Sequence, residues 1–435
     1  MSSGGHWSDL LAGDAHFASV LSYKSLRTGE TLHIVALILG LFFLLGVGLD
    51  TFQTIVLPRR PSGRLRITRL FFIVTWGPWT MVARRVKDKN LREEIYGIYG
   101  PLSLILLLGL WATLLLIGFA LLFLAIGSPF QDMTGHAAQG YMDQLRTNLY
   151  VSGTTLFTLG LGDVLPRSVA ARTLIIAEAG VGLGFVALVI GYLPVLYGAF
   201  SRREVSIALL DGRAGSPPTA GELLRRHGFE GGEEAISLLL AEWERWAAEL
   251  LESHVSYPLL CYYRSQHDNQ SWLSALTAIL DGCSLLITSV QGTPVRQAQL
   301  TFAMARHALV DLVLVFKLKE RKIWPEQQKL DRLPSEDFRK LCGLLQDTDV
   351  ELCGDPASEE RLRAIRTLYE PYAHALADYL GMPLPKWVAE PKKTDQWTTV
   401  AGLRSKAEEA LARTRQQFPF SGHGAGHGVH EEHKD

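Results

Sequence analysis

The chain has 435 residues, enough for two or three domains, and its 43 Lys plus Arg against 44 Asp plus Glu leave a formal charge of −1. A balance this close to neutral gives no whole-chain attraction for nucleic acid. Apolar residues crowd the first half and charges fill the second, which points to a membrane front with a soluble back. The cysteines, Cys261, Cys283, Cys342 and Cys353, all fall in the soluble half without metal-ligand spacing, so we read reduced thiols and assign no disulfide.

Residues 1–30 are mixed in character and lack a basic region followed directly by a short apolar core and cleavage site, so no removable signal peptide is expected. The run from Leu32 to Leu57 is long enough to span, since about 20 helical residues cross the hydrocarbon core. Asp50, near its end, is either a functional intramembrane charge or an interfacial acid paired with a nearby arginine. Two basic clusters come next, Arg59, Arg60, Arg64, Arg66 and Arg69, then Arg84, Arg85, Lys87, Lys89 and Arg92. Both belong on the cytoplasmic side by the positive-inside rule, which places the N-terminus outside and the C-terminus in the cytoplasm. Leu70–Ala83, between them, is too short to cross and carries Gly77-Pro78, so 31–95 is read as one membrane helix plus a re-entrant or in-plane segment, with a short extra span as the alternative.

Pro101–Ile126 is uninterrupted by charge and is the clearest spanning helix. The loop from Gly127 to Gln144 carries Asp132 and Asp143 and no basic residue, as an external loop can. Leu145–Phe157 has the length of a short helix whose C-terminal end would favour cations through its dipole, with Tyr150 able to brace the loop beyond it. That loop is Thr154–Asp163, Thr-Thr-Leu-Phe-Thr-Leu-Gly-Leu-Gly-Asp, neither apolar nor suited to a helix. Gly160 and Gly162 alternate with other residues, and glycine takes positive φ without steric cost, so successive carbonyls can turn toward one axis. At membrane depth such carbonyls need a water-filled path or a dehydrated cation.

This stretch resembles the pore loop of the tetrameric potassium channels, T-x-x-T-V-G-Y-G-D, through Thr155, Thr158, Leu159, Gly160, Leu161, Gly162 and Asp163. The resemblance, over about residues 96–203, implies an all-α membrane protein with a potassium-channel-like pore module: outer helix, pore helix and filter, inner helix. It implies ion binding by the backbone of Thr158, Leu159, Gly160, Leu161 and Gly162, support from Asp163, Thr155, Thr154 and Tyr150, a homotetramer, and K+ as permeant ion with no cofactor. Leu159 replaces valine and keeps an aliphatic chain, whereas Leu161 replaces an aromatic that braces the loop, which leaves selectivity less secure than permeation. The inner helix is expected at Thr173–Phe200. Gly182 lies nineteen residues beyond Asp163, where inner helices of this family commonly bend, although a packing glycine is the alternative. Pro194 should kink the helix near the cytoplasmic mouth. Glu178 either faces the cavity or hydrogen-bonds behind the filter.

Residues 204–218 form a Gly- and Pro-bearing linker, after which Thr219 with Glu222 reads as a capping box opening a helical domain over 219–416. Apolar positions recur at helical spacing from Ile236 to Leu250, and similar patterns run near 271–290, 295–319, 335–346, 358–380 and 403–416. The 295–319 run is apolar, but Arg306, His307 and Asp311 argue against a span. No dinucleotide or phosphate-binding loop is visible. His254, His267, Asp268 and Asn269 with Tyr262 and Tyr263 could line a pocket, with a surface loop as the blander reading. The tail, 417–435, carries His423, His427, His430 and His433, which could hold a soft metal or simply be solvated. The function expected is a potassium-selective channel subunit of the inner (plasma) membrane, gated through the helical domain by an unknown stimulus, ligand or protein partner. The alternatives are a non-selective cation channel and a non-conducting receptor or scaffold. No nucleophile, base and orienting group assemble, so an enzyme is not expected.

Overall fold

A computed structural model describes residues 30–57, 66–229, 231–266, 270–290, 295–318, 331–346, 348 and 356–389. The expectations for residues 1–29, for Arg59, Arg60 and Arg64, for His267, Asp268 and Asn269, for Cys353, for the 403–416 helix pattern and for the histidine-bearing tail fall outside the described residues. Among the described residues the fold is all-helical apart from one small hairpin. Its membrane part comprises α1 (Glu30–Val56), α2 (Ile67–Arg85), α3 (Lys89–Ala125), α4 (Tyr141–Leu156) and α5 (Val169–Ala214). The hairpin pairs β1 (Phe130–Asp132) antiparallel with β2 (Val164–Pro166), bringing the two ends of the 133–163 segment together. The soluble part comprises α6 (Ala220–His227), α7 (Gly232–Ser256), α8 (Trp272–Thr288), α9 (Val295–Val315), α10 (Ser335–Leu345), α11 (Pro356–Arg366) and α12 (Glu370–Leu380).

α1, α3 and α5 are each long and apolar enough to cross a membrane. α1 and α3 run antiparallel in close contact, since a Cβ on Gly40 would meet the Gly118 oxygen at 2.9 Å, the kind of small-residue crossing that packs helices in lipid. Asp50 takes the paired reading: it accepts from Thr68 N at 2.9 Å, Thr68 Oγ1 at 2.5 Å and Trp111 Nε1 at 3.0 Å, with Arg66 Nε at 3.5 Å. That carboxylate ties α1, α2 and α3 at one point. From there α2 runs back along α3, because Thr75 meets the Tyr99 hydroxyl at 2.9 Å and Trp79 Nε1 donates to Ile95 O at 3.0 Å. The 70–83 stretch is thus part of one continuous helix whose first turn begins beside Trp111, inside the apolar run of α3.

Two boundaries differ from expectation. α3 begins at Lys89 instead of Pro101, because Tyr96 and Tyr99 bury against Trp76 and extend the packed face past the bilayer. The expected linker over 204–218 is helical as far as Ala214, since Ile207, Leu210 and Ala214 recur at helical spacing and are buried against the soluble domain. Gly215, at φ +85, ends the helix. With 46 residues, α5 is about 69 Å long at ~1.5 Å per residue, roughly twice the ~30 Å hydrocarbon core, so its last turns necessarily stand in the C-terminal helical domain.

In that domain Thr219 caps α6 by accepting from Glu222 N at 3.2 Å, as the motif predicts. α8 is the hub, buried continuously from Trp272 to Leu286, with α6, α7, α9, α11 and α12 around it. α9 is apolar enough to span by composition but packs on α7 and α8, with Arg306 donating to Leu368 O at 2.8 Å. The expected single helix over 358–380 is broken into α11 and α12, where Pro371 opens the second helix because it lacks the N–H a continuous helix would need. One acid inside the hub, Asp281, is matched by Arg332 at 2.5 and 3.1 Å and by the Tyr369 hydroxyl at 2.5 Å. Cys261 and Cys283 are free, buried thiols.

Candidate ion pathway

The pore helix α4 starts four residues earlier than the apolar pattern suggested, opened by Gly140 at φ +83 and carrying Asp143 in its first turn, where an acid suits the positive helix end. Its face Asn148, Ser152 and Leu156 is buried at i, i+4 and i+8. Asn148 Nδ2 donates to Ser128 Oγ at 2.9 Å, holding the helix to the loop that precedes the hairpin. Leu156 sits in an apolar cluster with Leu107, Trp111 and Leu115 of α3. These contacts hold the C-terminal end of α4 against α3.

Beyond that end the backbone alternates. Thr158, Gly160 and Gly162 have φ of +56, +55 and +75, while Leu159 and Leu161 do not share the left-handed region. Leu159 N donates to Thr154 O at 2.7 Å and Gly160 N to the same oxygen at 3.2 Å. In a trans peptide the carbonyl points opposite to the following N–H. With both amides turned back onto the pore helix, the carbonyls of Thr158 and Leu159 therefore turn away from it, side by side in the same direction. A strand alternates its carbonyls and cannot do this.

The residues flanking this loop are tied to one another. Tyr150 Oη donates to Asp163 Oδ2 at 2.6 Å, joining the pore helix to the far end of the loop. Thr154 is turned within its helix, Oγ1 donating to Val151 O at 3.0 Å, and the Thr155 carbonyl accepts from Thr158 N at 3.0 Å. Leu159 and Leu161 project from the chain, 64% and 62% exposed.

On α5, Glu178 and Gly182 meet the same buried face of α4. Glu178 is wholly buried with Oε1 at 2.5 Å from Ser152 Oγ, so of the two positions open in the sequence it takes the one behind the filter. Gly182 packs: a Cβ there would stand 2.1 Å from the Leu156 carbonyl oxygen. Pro194 lies inside a helix that continues on both sides of it. Val169, Ile176, Leu183, Ile190 and Tyr197 recur every seven residues on α5 and are 63% to 78% exposed, an apolar face that nothing among the described residues covers. A seven-residue stripe drifts only ~20° per repeat around a straight helix, so it stays on one side.

Sequence reasoning missed the junction where α5 enters the soluble domain. Arg203, buried, donates from NH1 to Leu260 O at 2.9 Å and from NH2 to Tyr263 O at 3.0 Å, pairs with Glu204 at 2.8 Å, and meets His254 Nε2 at 3.1 Å. His254 and Tyr262, for which a surface loop was the blander reading, are interior residues of this junction, because the segment Pro258–Tyr262 turns inward to pack Leu259 and Leu260 on Leu104, Leu196 and Phe200. Only Arg203, one residue into the charged boundary of the apolar run, was a visible signal.

Burial first, and the Arg203 charge second, hold the His254 imidazole well below its usual 6.5. The unfolded chain takes up a proton near that value and the folded junction resists it, so the stability this neutral histidine contributes is full above about pH 6.5 and drains away as pH falls below it. The melting midpoint of the C-terminal helical domain should drop between about pH 7 and pH 5, and His254→Gln should flatten that slope. An equal acid slope in both proteins, followed by circular dichroism, would remove His254 as its source.

A short helix aimed at a loop of alternating φ, set between two membrane-capable helices, defines a pore-loop channel module. Residues 110–196 match the family described as Ion channel, and over that stretch the resemblance drawn from the filter motif is borne out. The chain is also similar to an uncharacterized membrane protein, YdjJ, of Bacillus subtilis (strain 168), 26% identical over 192 residues, 43% of this chain and 53% of that one. It is similar to Protein LctB of Bacillus caldotenax and of Geobacillus stearothermophilus, 33% and 32% identical over 84 residues, 18% of this chain and 62% of each relative. The chain thus spans between half and two thirds of the length of these relatives. No solved structure matches it significantly.

Proposed function

We propose that the chain is one subunit of a homotetrameric potassium channel of the plasma membrane, with the N-terminus outside and the helical domain in the cytoplasm. The observation that carries this is the pair of carbonyls, Thr158 and Leu159, turned the same way by amides that both bond Thr154 O. Repeated around an axis, such carbonyls replace the hydration shell of a cation. One loop supplies one wall only. Four copies close the ring, and the uncovered stripe on α5 gives each copy an apolar face for its neighbours or for lipid. Ion binding is assigned to the backbone of Thr158, Leu159, Gly160, Leu161 and Gly162. Gating is assigned to α5 around Gly182 and Pro194, under control of the cytoplasmic domain through Arg203.

Gly160→Ala tests the filter. A side chain at φ +55 costs roughly 1–2 kcal/mol per residue, and four such costs at one ring should abolish potassium flux in liposomes while the cytoplasmic domain melts unchanged. Undiminished flux would remove the filter assignment. A weaker preference for potassium over sodium is a second reading, favoured by Leu161, an exposed side chain with no hydrogen-bonding group where the family has a bracing aromatic. Reversal potentials under a potassium-to-sodium gradient separate the two.

A further inference from the structure

We infer that Glu178 is held as the neutral acid and donates its proton to Ser152, and that this proton fastens the inner helix to the pore helix in the conducting channel. The hydrogens at this contact can be counted. Ser152 Oγ lies 3.0 Å from Leu116 O and 2.5 Å from Glu178 Oε1. A serine hydroxyl has one proton, and a backbone carbonyl has none to give. If the serine proton serves Leu116, the proton in the contact with Glu178 comes from the carboxyl.

The surroundings select that arrangement. From α4, Glu178 meets Ser152, with Asn148 one turn further along the same face and its amide already donating to Ser128. From α3 comes the Leu116 carbonyl, which shares the hydroxyl. Along α5 the next residue on this face is Gly182. None of these groups carries charge. The second carboxyl oxygen, Oε2, is buried and has no partner among the described residues. An ionised carboxylate here would have one shared hydrogen bond and no counter-charge, a state that burial strongly disfavours, whereas the acid needs only the acceptor that Ser152 offers.

The position gives the proton a consequence. Glu178 and Gly182 are one turn apart, and they hold Ser152 and Leu156, also one turn apart, on the helix that presents the filter. When base removes the proton, a single hydroxyl must serve two acceptors and an uncompensated charge sits behind the filter. The α4–α5 contact then loosens and conduction falls. Glu178 acts through Ser152 and Leu156, so it is a positioning residue. The effect on flux rests on the channel reading, but the protonation does not.

Two measurements on the full-length reconstituted protein test it. In infrared difference spectra of wild type against Glu178→Gln, the carbonyl band of a protonated carboxylic acid should be present in the wild type, shift in heavy water, and vanish in the variant. No such band overturns the inference, whether or not the protein conducts. In flux assays, wild-type conduction should fall by at least about tenfold for each pH unit above the titration point of the group, the slope for one required proton, and more steeply if several of the four subunits must keep theirs. Glu178→Gln, a neutral isostere that keeps a donor, should hold its flux to alkaline pH. Matching alkaline profiles in the two proteins overturn the role in conduction.

Discussion

Alanine at position 182 is expected to abolish conduction while leaving the C-terminal helical domain folded. A Cβ there would lie 2.1 Å from the carbonyl oxygen, 2.9 Å from the carbonyl carbon and 3.1 Å from the Cα of Leu156. All three are backbone atoms, so no flexible side chain can swing away. Leu156 is itself pinned in the cluster of Leu107, Trp111 and Leu115. Relief therefore requires α4 or α5 to retreat by roughly 1.3 Å or more to reach ordinary contact distance of about 3.5 Å. Overpacking of this kind costs roughly 1–3 kcal/mol, and the displaced end of α4 carries Thr154, whose carbonyl aims the filter amides. A ring of carbonyls moved by that much no longer matches the ion. Gly180→Ala and Gly184→Ala are the controls, because a Cβ at either position meets nothing within 4 Å among the described residues. Flux from purified, reconstituted protein is the readout, with assembly followed by size in mild detergent. Wild-type flux in Gly182→Ala would show that the two helices do not meet as described.

Arg203→Gln is expected to release the inner helix from the C-terminal helical domain. The wild-type guanidinium serves Glu204, two backbone carbonyls and His254 from one buried fork. Lysine cannot reproduce that fan of donors from a single ammonium, so Arg203→Lys should fail nearly as badly. Removing one partner of a buried ion pair costs about 3–5 kcal/mol. Here that loss falls on the contact through which any movement of the soluble helices reaches α5. The expected results are a lowered melting midpoint for the C-terminal helical domain and new protease cleavage between Ser201 and Gly215. Conduction should become independent of changes made in the domain. An unchanged melt and an uncut 201–215 segment would show that coupling runs elsewhere, with the aromatic contacts of Trp76, Tyr99 and Tyr262 the next place to look.

The linear sequence was enough for the membrane front, the pore helix, the alternating loop and the N-cap at Thr219, because each is a local matter; the reciprocal half of the capping box does not form, since Thr219 N donates to Ala214 O and Glu222 turns to Arg225 and Arg226. Apolar length decides a span, positive φ decides where glycine recurs, and one hydroxyl three residues before an amide decides a cap. The same holds for the expectation that α9 stays in the bundle, since charges inside an apolar run are local too. The fate of Glu178, Gly182 and His254 was not legible, and for one reason. Each is defined by an atom far away in sequence: Ser152 for Glu178, the Leu156 carbonyl for Gly182, Arg203 for His254. A glycine that bends and a glycine that packs look identical in a sequence, as do a carboxylate in a cavity and an acid behind a filter. The extent of α5 belongs with them. Gly212 and Gly215 read as a linker, but tertiary burial of Ile207, Leu210 and Ala214 outweighs the ~1 kcal/mol that a glycine costs a helix, and only the positive φ of Gly215 stops it.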